Sequence, residues 1–202
     1  MAYTLGIFGG TFDPPHIGHQ ILAAEAQYQL GLDKVLWVLT PDPPHKQNQA
    51  ITPLEYRLKM VQAAVAETPD FEISRVEIDR SPPHYALDTV KALQEQHPQS
   101  HLIYLMGSDS LHDLPNWYSA PEFVSVCHAL GVMRRPGTQI DLGFLETWLP
   151  GITAKVCFVE APLLEIAASQ IRSRIQQDQP YRYYLPSSVY RIIQELNLYR
   201  PS

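Results

Sequence analysis

The sequence predicts an α/β protein: a doubly wound, mainly parallel sheet with helices on both faces and a small helical C-terminal part. Two observations carry that expectation. Short β-favouring runs alternate with stretches of helical periodicity, and clusters of Gly, Pro and Asp punctuate the joins. Strands alternating with helices imply parallel crossovers, which bring the strand ends to one edge of an open sheet.

Tyr3 to Phe8 reads as the first strand, ended by Gly9-Gly10, and Ile17 to Leu30 carries apolar residues at mostly helical spacing. Lys34 to Leu39 (K-V-L-W-V-L) repeats the strand. After a polar loop, Thr52-Pro53-Leu54-Glu55 opens a helix as N-cap, N1 proline and the N3 Glu of a capping box. A third unit runs from Phe71-Glu72-Ile73 through Val76 and Ile78 to Ser81-Pro82-Pro83-His84, then a helix to about Gln96. A fourth runs from Leu102 to Met106 into Gly107-Ser108-Asp109, and strands are expected at Ala129 to Met133 and Lys155 to Val159. Ile166 to Gln176 and Ser187 to Leu196 are the helices of the tail, while Gly137 to Gly151 carries the weakest pattern. The arrangement is Rossmann-like.

With 202 residues and no evident linker, residues 1–202 are expected to form a single domain whose helical C-terminal part begins at about 166. Hydrophobic residues make up 45%, which suits a globular chain rather than a disordered one. The net charge of −6, from 15 Lys and Arg against 21 Asp and Glu, lacks the positive footprint of a nucleic-acid binder. Cys127 and Cys157 lie far apart without a C-x-x-C partner, so buried thiols in a reducing compartment are expected. No signal peptide or membrane span is apparent, and a cytoplasmic protein is the expectation.

The stretch Gly9 to His19, G-G-T-F-D-P-P-H-I-G-H, carries the chemistry. Gly9 and Gly10 remove side chains where the strand turns, so that backbone N–H groups can approach an anion. The helix opening near Ile17 or Gly18 adds partial positive charge at the same place. His16 and His19 stand three apart across that start, so their rings can share a face and hydrogen-bond phosphate oxygens during transfer. A lone helical histidine more often caps or packs; the glycines, the helix start and the pairing together favour the phosphate site. No local Cys, Asp or Glu completes a zinc set, so no metal ligands are assigned. The first loop also lacks G-x-G-x-x-G. The tripeptide P-P-H recurs at 14–16, 43–45 and 82–84, each after an expected strand. This suggests one shared cleft, with coincidence among 18 prolines as the alternative.

G-G-T-F-D-P-x-H-x-G-H resembles the signature of the bacterial nicotinate-mononucleotide adenylyltransferases, and His16-Ile17-Gly18-His19 spells the motif of the wider nucleotidyltransferase superfamily. The resemblance runs nearly end to end. It takes in Pro43-Pro44-His45-Lys46, His84-Tyr85-Ala86-Leu87-Asp88-Thr89, the run from Met106-Gly107-Ser108-Asp109 to Trp117-Tyr118, Arg134-Arg135-Pro136-Gly137, Ile166 to Arg172, and Leu185-Pro186 to Tyr199. It implies transfer of AMP from ATP to the 5′-phosphate of nicotinate mononucleotide, with Mg2+ held mainly by the ATP phosphates. His16, His19 and Arg172 are then the catalytic residues, and Gly9, Gly10, Thr11, Phe12, Gly18, Gly107, Asp109 and Ser169 bind ATP. Asp13, Lys46, Tyr85, Ala86, Thr89, Trp117, Tyr118 and Arg134 line the acceptor side, with Trp117 stacking on the pyridine ring.

The chain departs from the family pattern at three places. Ala167 and Ala168 replace two serines before Ser169, Ala86 replaces Thr, and His84 stands where Ser is common. Simpler roles compete with the implied ones: Trp117 as a core aromatic, Asp109 as a helix N-cap, and Arg134, Arg135 and Lys46 as solvated charges. The same fold with nicotinamide mononucleotide or another phosphate acceptor is the second reading, and a non-catalytic nucleotide-binding module the third. The oligomeric state is left open.

Overall fold

A computed structural model describes residues 2–201 except 44–49, 135–139 and 163. Strands β1 (Thr4–Gly10), β2 (Lys34–Leu39), β3 (Phe71–Ser74), β4 (His101–Gly107), β5 (Ala129–Met133) and β6 (Val156–Val159) form one sheet. Their spatial order is β3-β2-β1-β4-β5-β6, and every neighbouring pair is parallel. The order reverses between β1 and β4, where open α/β sheets form a crevice at their carboxyl ends. Lys34–Leu39 is buried at all but its first residue, as a strand covered on both faces must be.

Helix α1 (Ile17–Leu30) ends at Gly31, whose φ of +61° makes the left-handed turn that glycine tolerates best. Helices α2 (Leu54–Val65) and α3 (Ala86–Gln96) follow β2 and β3, and α4 (Ser108–Asp113) and α5 (Ala120–Val126) separate β4 from β5. The stretch without clear pattern holds α6 (Leu142–Trp148), capped by the Asp141 carboxylate, which accepts from the N–H of Phe144, and α7 (Ile152–Lys155) follows it. In the tail, α8 (Ala168–Gln176) and α9 (Ser187–Glu195) pack on α2 through Met60, Ala64, Ile171, Ile175, Val189 and Ile193. None of the described helices is long and apolar enough to cross a membrane.

Three local expectations need correction. The third strand stops at Ser74, because the chain turns at Val76–Asp79 and sends Glu77 inward. Helix α2 takes Pro53 as its N-cap, not Thr52. Thr52 is committed elsewhere: its N–H donates to Asp13 and its carbonyl accepts from Arg57, so no capping box with Glu55 forms. The sixth strand begins at Val156 because Lys155 closes α7, with its ammonium donating to the carbonyls of Val124, Ser125 and Cys127. Cys127 is a buried free thiol whose pKa burial pushes up to about 12, and Cys157 is a half-buried free thiol on β6.

Candidate active site

At the carboxyl edge, beside the point where strand order reverses, lies a cleft of about 550 Å³. Thr11, Phe12, Asp13, His16, Gly18 and His19 form one wall; Gly107, Met133 and Arg134 close the sheet end. Ile166, Ala167, Ala168, Gln170 and Arg172 face them from the start of α8.

His16 is the N-cap of α1 and is 6% exposed. Its main-chain N–H donates to Nδ1 of His19 at 3.1 Å, and its carbonyl accepts from the N–H of His19 and Gln20. With Nδ1 of His19 serving as acceptor, a neutral ring carries its proton on Nε2. The two rings stack with centroids 3.6 Å apart and planes 21° from parallel, so the shared face expected from their spacing is present. A Cβ at Gly18 would stand 3.0 Å from Nδ1 of His16, so glycine there clears the space for the ring. Capping and site-building therefore coincide in His16.

Gly9 and Gly10 are the last residues of β1. A Cβ on Gly10 would lie 2.9 Å from the ring of Phe12, so the room at Gly10 is filled by that ring. Phe12 is 2% exposed, adopts φ +46°, and presents its ring edge-on to His19 at 5.1 Å, backed by Phe8 and Trp37. This aromatic wall fixes the imidazole from behind.

Two residues that tie the loop together were not singled out from the sequence. Arg57, 2% exposed on α2, donates to the carbonyls of Thr11, Thr40, Pro41 and Thr52, joining the loops after β1 and β2. Burial pulls its pKa down, and Asp13 and Asp42 oppose that. Tyr199 donates its hydroxyl to Oδ1 of Asp13 at 2.7 Å. The second carboxylate oxygen accepts the N–H of Thr52 at 3.2 Å, so both oxygens of the 5%-exposed Asp13 side chain are engaged within the protein. An inward-facing arginine whose partners are carbonyls leaves no pattern in sequence, and the Asp13–Tyr199 pair spans 186 positions.

Arg172 donates to the carbonyl of Asp13 at 2.7 Å, standing across the cleft from the histidines. Ser169 is exposed in the first turn of α8 and does not line the cleft, whereas Ala167 and Ala168 do. Ala167 is the N-cap of α8 and has no hydroxyl to offer; its N–H instead donates to Oε1 of Gln170 at 3.4 Å. Gly107 reaches the cleft and is the N-cap of α4, which places Asp109 in the first turn, exposed, rather than at the cap. Arg134 lines the cleft with its guanidinium paired to Glu160 at 2.9 Å and set over the Phe158 ring. Lys46, with His45 of the second P-P-H, lies outside the described residues.

The aromatics expected on the acceptor side form a second face, apart from the lining of this cleft. Tyr85 is the N-cap of α3, and its ring stacks on Tyr118 at 4.2 Å. Ala86 opens the helix, and Trp117 sits edge-on to Tyr104 and tilted against Phe123. Thr89 is 1% exposed; it donates its hydroxyl to Glu77 at 2.7 Å and accepts from Arg80 at 3.2 Å. His84 is 6% exposed and does not line the cleft, so the third P-P-H copy stands apart from it. Among the described residues no group of three or more His, Cys, Asp or Glu is placed to hold a metal ion.

The cytidylyltransferase-like family profile matches residues 7–174. A protein of Thermomicrobium roseum named as a probable nicotinate-nucleotide adenylyltransferase is 42% identical over 196 residues, covering 97% of this chain and 91% of its own. The nicotinate-nucleotide adenylyltransferase of Bacillus subtilis is 36% identical, covering 96% and 97% respectively. In fold, the chain matches the Plasmodium falciparum nicotinic acid mononucleotide adenylyltransferase complexed with NaAD, with a TM-score of 0.80 at 20% identity, over 98% of this chain and 97% of that one. A stacked histidine pair capping the first helix, and relatives that match nearly the whole chain, lead to one assignment: the chain belongs to the cytidylyltransferase-like family and, within it, to the nicotinate-nucleotide adenylyltransferases.

Proposed function

We propose that the protein transfers AMP from ATP to the 5′-phosphate of nicotinate mononucleotide, releasing pyrophosphate and giving the deamido dinucleotide, in the cytoplasm. The observation that carries this is the His16–His19 stack at the N-terminus of α1, with Arg172 on the opposite wall of the cleft. An acceptor phosphate oxygen attacks the α-phosphorus in line; that P–O bond forms as the bond to the β-phosphate oxygen breaks, and pyrophosphate leaves with the electron pair. No protein nucleophile is needed. His16 and His19 donate to non-bridging α-phosphate oxygens, with Nε2 of His19 set as donor by the main-chain bond at its other nitrogen. The α1 N-terminus adds its partial charge, and Arg172 meets the polyphosphate. Thr11, Gly18 and Gly107 line the path of the nucleotide, and Asp109 and Ser169, exposed in the first turns of their helices, meet it beyond the cleft lining.

Magnesium would come with the nucleotide, held by its phosphates and water, and would supply charge neutralisation for the leaving pyrophosphate. The acceptor lies toward the start of α3, its carboxylate meeting backbone near Tyr85, Ala86 and Tyr118 and its ring against Trp117. Arg134 and Lys46 supply positive charge.

Purified protein incubated with MgATP and nicotinate mononucleotide is expected to release pyrophosphate and form the dinucleotide stoichiometrically. No product from that mixture sinks the reading. Faster turnover with nicotinamide mononucleotide in a parallel reaction reassigns the acceptor while keeping the chemistry, and tight ATP binding with no acceptor turned over supports a binding module instead.

A further inference from the structure

We infer that Tyr199, 186 positions from Asp13 in sequence, is a positioning residue for the nucleotide: its hydroxyl satisfies Asp13 and so leaves Arg172 facing the cleft. The inference rests on the role proposed for Arg172. Asp13 is the junction. Its Oδ1 takes the Tyr199 hydroxyl at 2.7 Å, its Oδ2 takes the Thr52 N–H at 3.2 Å, and its carbonyl takes Nη1 of Arg172 at 2.7 Å. The same Nη1 stands 4.0 Å from Oδ2, close to the carboxylate and outside hydrogen-bond reach of it.

A buried carboxylate needs its donors, and losing one recruits the nearest alternative. Arg57 is committed to four loop carbonyls. Arg172 is therefore the guanidinium that answers an under-satisfied Asp13, and a short shift from 4.0 Å turns it from the ligand side toward the carboxylate. Two features show that the tail is shaped for this contact. Asn197 and Tyr199 hold φ of +51° and +67°, which bulky side chains rarely adopt, and these turns carry the Tyr199 ring beneath the first loop. Its oxygen also lies 3.9 Å from the sulfur of Met60, inside the cluster that seats the tail on α2. Burial, with Asp13 beside it, raises the phenol pKa, so the hydroxyl remains a donor across the working pH range.

The test is a set of double-mutant cycles in the full chain, read by steady-state kinetics and by calorimetric binding of a non-hydrolysable ATP analogue. Tyr199→Phe removes one oxygen and keeps the ring. It is expected to raise the KM for ATP and the analogue Kd about five- to tenfold, with the KM for nicotinate mononucleotide changed less than twofold. In an Asp13→Asn background, where no negative charge competes for Arg172, adding Tyr199→Phe is expected to change analogue affinity less than twofold. Arg172→Met supplies a second cycle with the same expectation, because no guanidinium remains to be displaced. Single effects that multiply in both cycles overturn the inference, as does a Tyr199→Phe protein whose ATP and acceptor KM values rise equally together with a fall in Tm. Analogue binding needs no turnover, so an inactive wild type would defeat the proposed reaction while the cycles still report on Tyr199.

Discussion

Two pairs of stacked imidazoles occupy opposite edges of one sheet, and only one of them is built into a cleft. His16 and His19 stack at the carboxyl edge with centroids 3.6 Å apart; His101 and His128 stack at the amino ends of β4 and β5 at 4.0 Å. The ring geometries are nearly alike. The surroundings are not: the first pair caps a helix, has a main-chain N–H on one ring nitrogen, and is backed by Phe12 and Trp37. The second pair is exposed, and its cationic neighbour Lys155 is spent on three carbonyls. Stacking is common to both pairs; clearance at Gly18, a main-chain N–H on one ring nitrogen and a helix start belong to the first alone.

That contrast breaks most decisively at His19. His19→Ala is expected to lower kcat by about two to three orders of magnitude, the scale for losing one preorganised donor. A loss below tenfold in a folded protein puts His19 in the same class as His128. Next comes the frame of the first pair: Arg57→Met leaves four partly buried carbonyls without their shared donor and is expected to reduce the unfolding free energy by about 3 kcal/mol, measured by urea titration. Tyr118→Ala, which removes the stack on Tyr85, is expected to raise the acceptor KM about fivefold and leave the ATP KM in place. Equal effects on both substrates would merge two faces that the structure keeps apart.

The smallest effect belongs to the second pair. His128→Gln is expected to leave turnover within twofold and to change the pH dependence of stability instead. Desolvation, then His101 and Lys155, holds the His128 pKa below the usual histidine value. The folded protein therefore prefers the neutral ring, and the unfolded chain binds the proton more readily. The stability this provides is present above the unfolded pKa and is lost as pH falls through the folded one. Thermal midpoints between pH 8 and pH 5 are expected to fall, and His128→Gln to flatten that fall; an unchanged slope shows that the pair carries no such linkage.

Much of this molecule was legible in its letters where one interaction dominates. The strands at Lys34–Leu39 and Ala129–Met133 match their expected bounds because fully covered strands are unbroken apolar runs, and α1 matches because Gly31 stops it. The third strand was overextended because Val76 and Glu77 are buried in a turn, where burial no longer signals a strand. In the cleft, the histidine pair and Arg172 could be located because their motifs are local. Arg57 and Tyr199 could not, since their partners are loop atoms brought together by the fold. That Phe12 fills the space beside Gly10 was not legible, because it depends on the left-handed backbone of Phe12.

The bond between Asp13 and Tyr199 also has a meaning in time. The ribosome makes the first loop early and the tyrosine 186 positions later. At about 5–20 residues per second, the interval is roughly 10–40 s. During that interval α1, β1 and β2 can pair while the Asp13 carboxylate waits for its last donor. The Asp13 junction is thus completed only after the strands and helix that frame the first loop have already met.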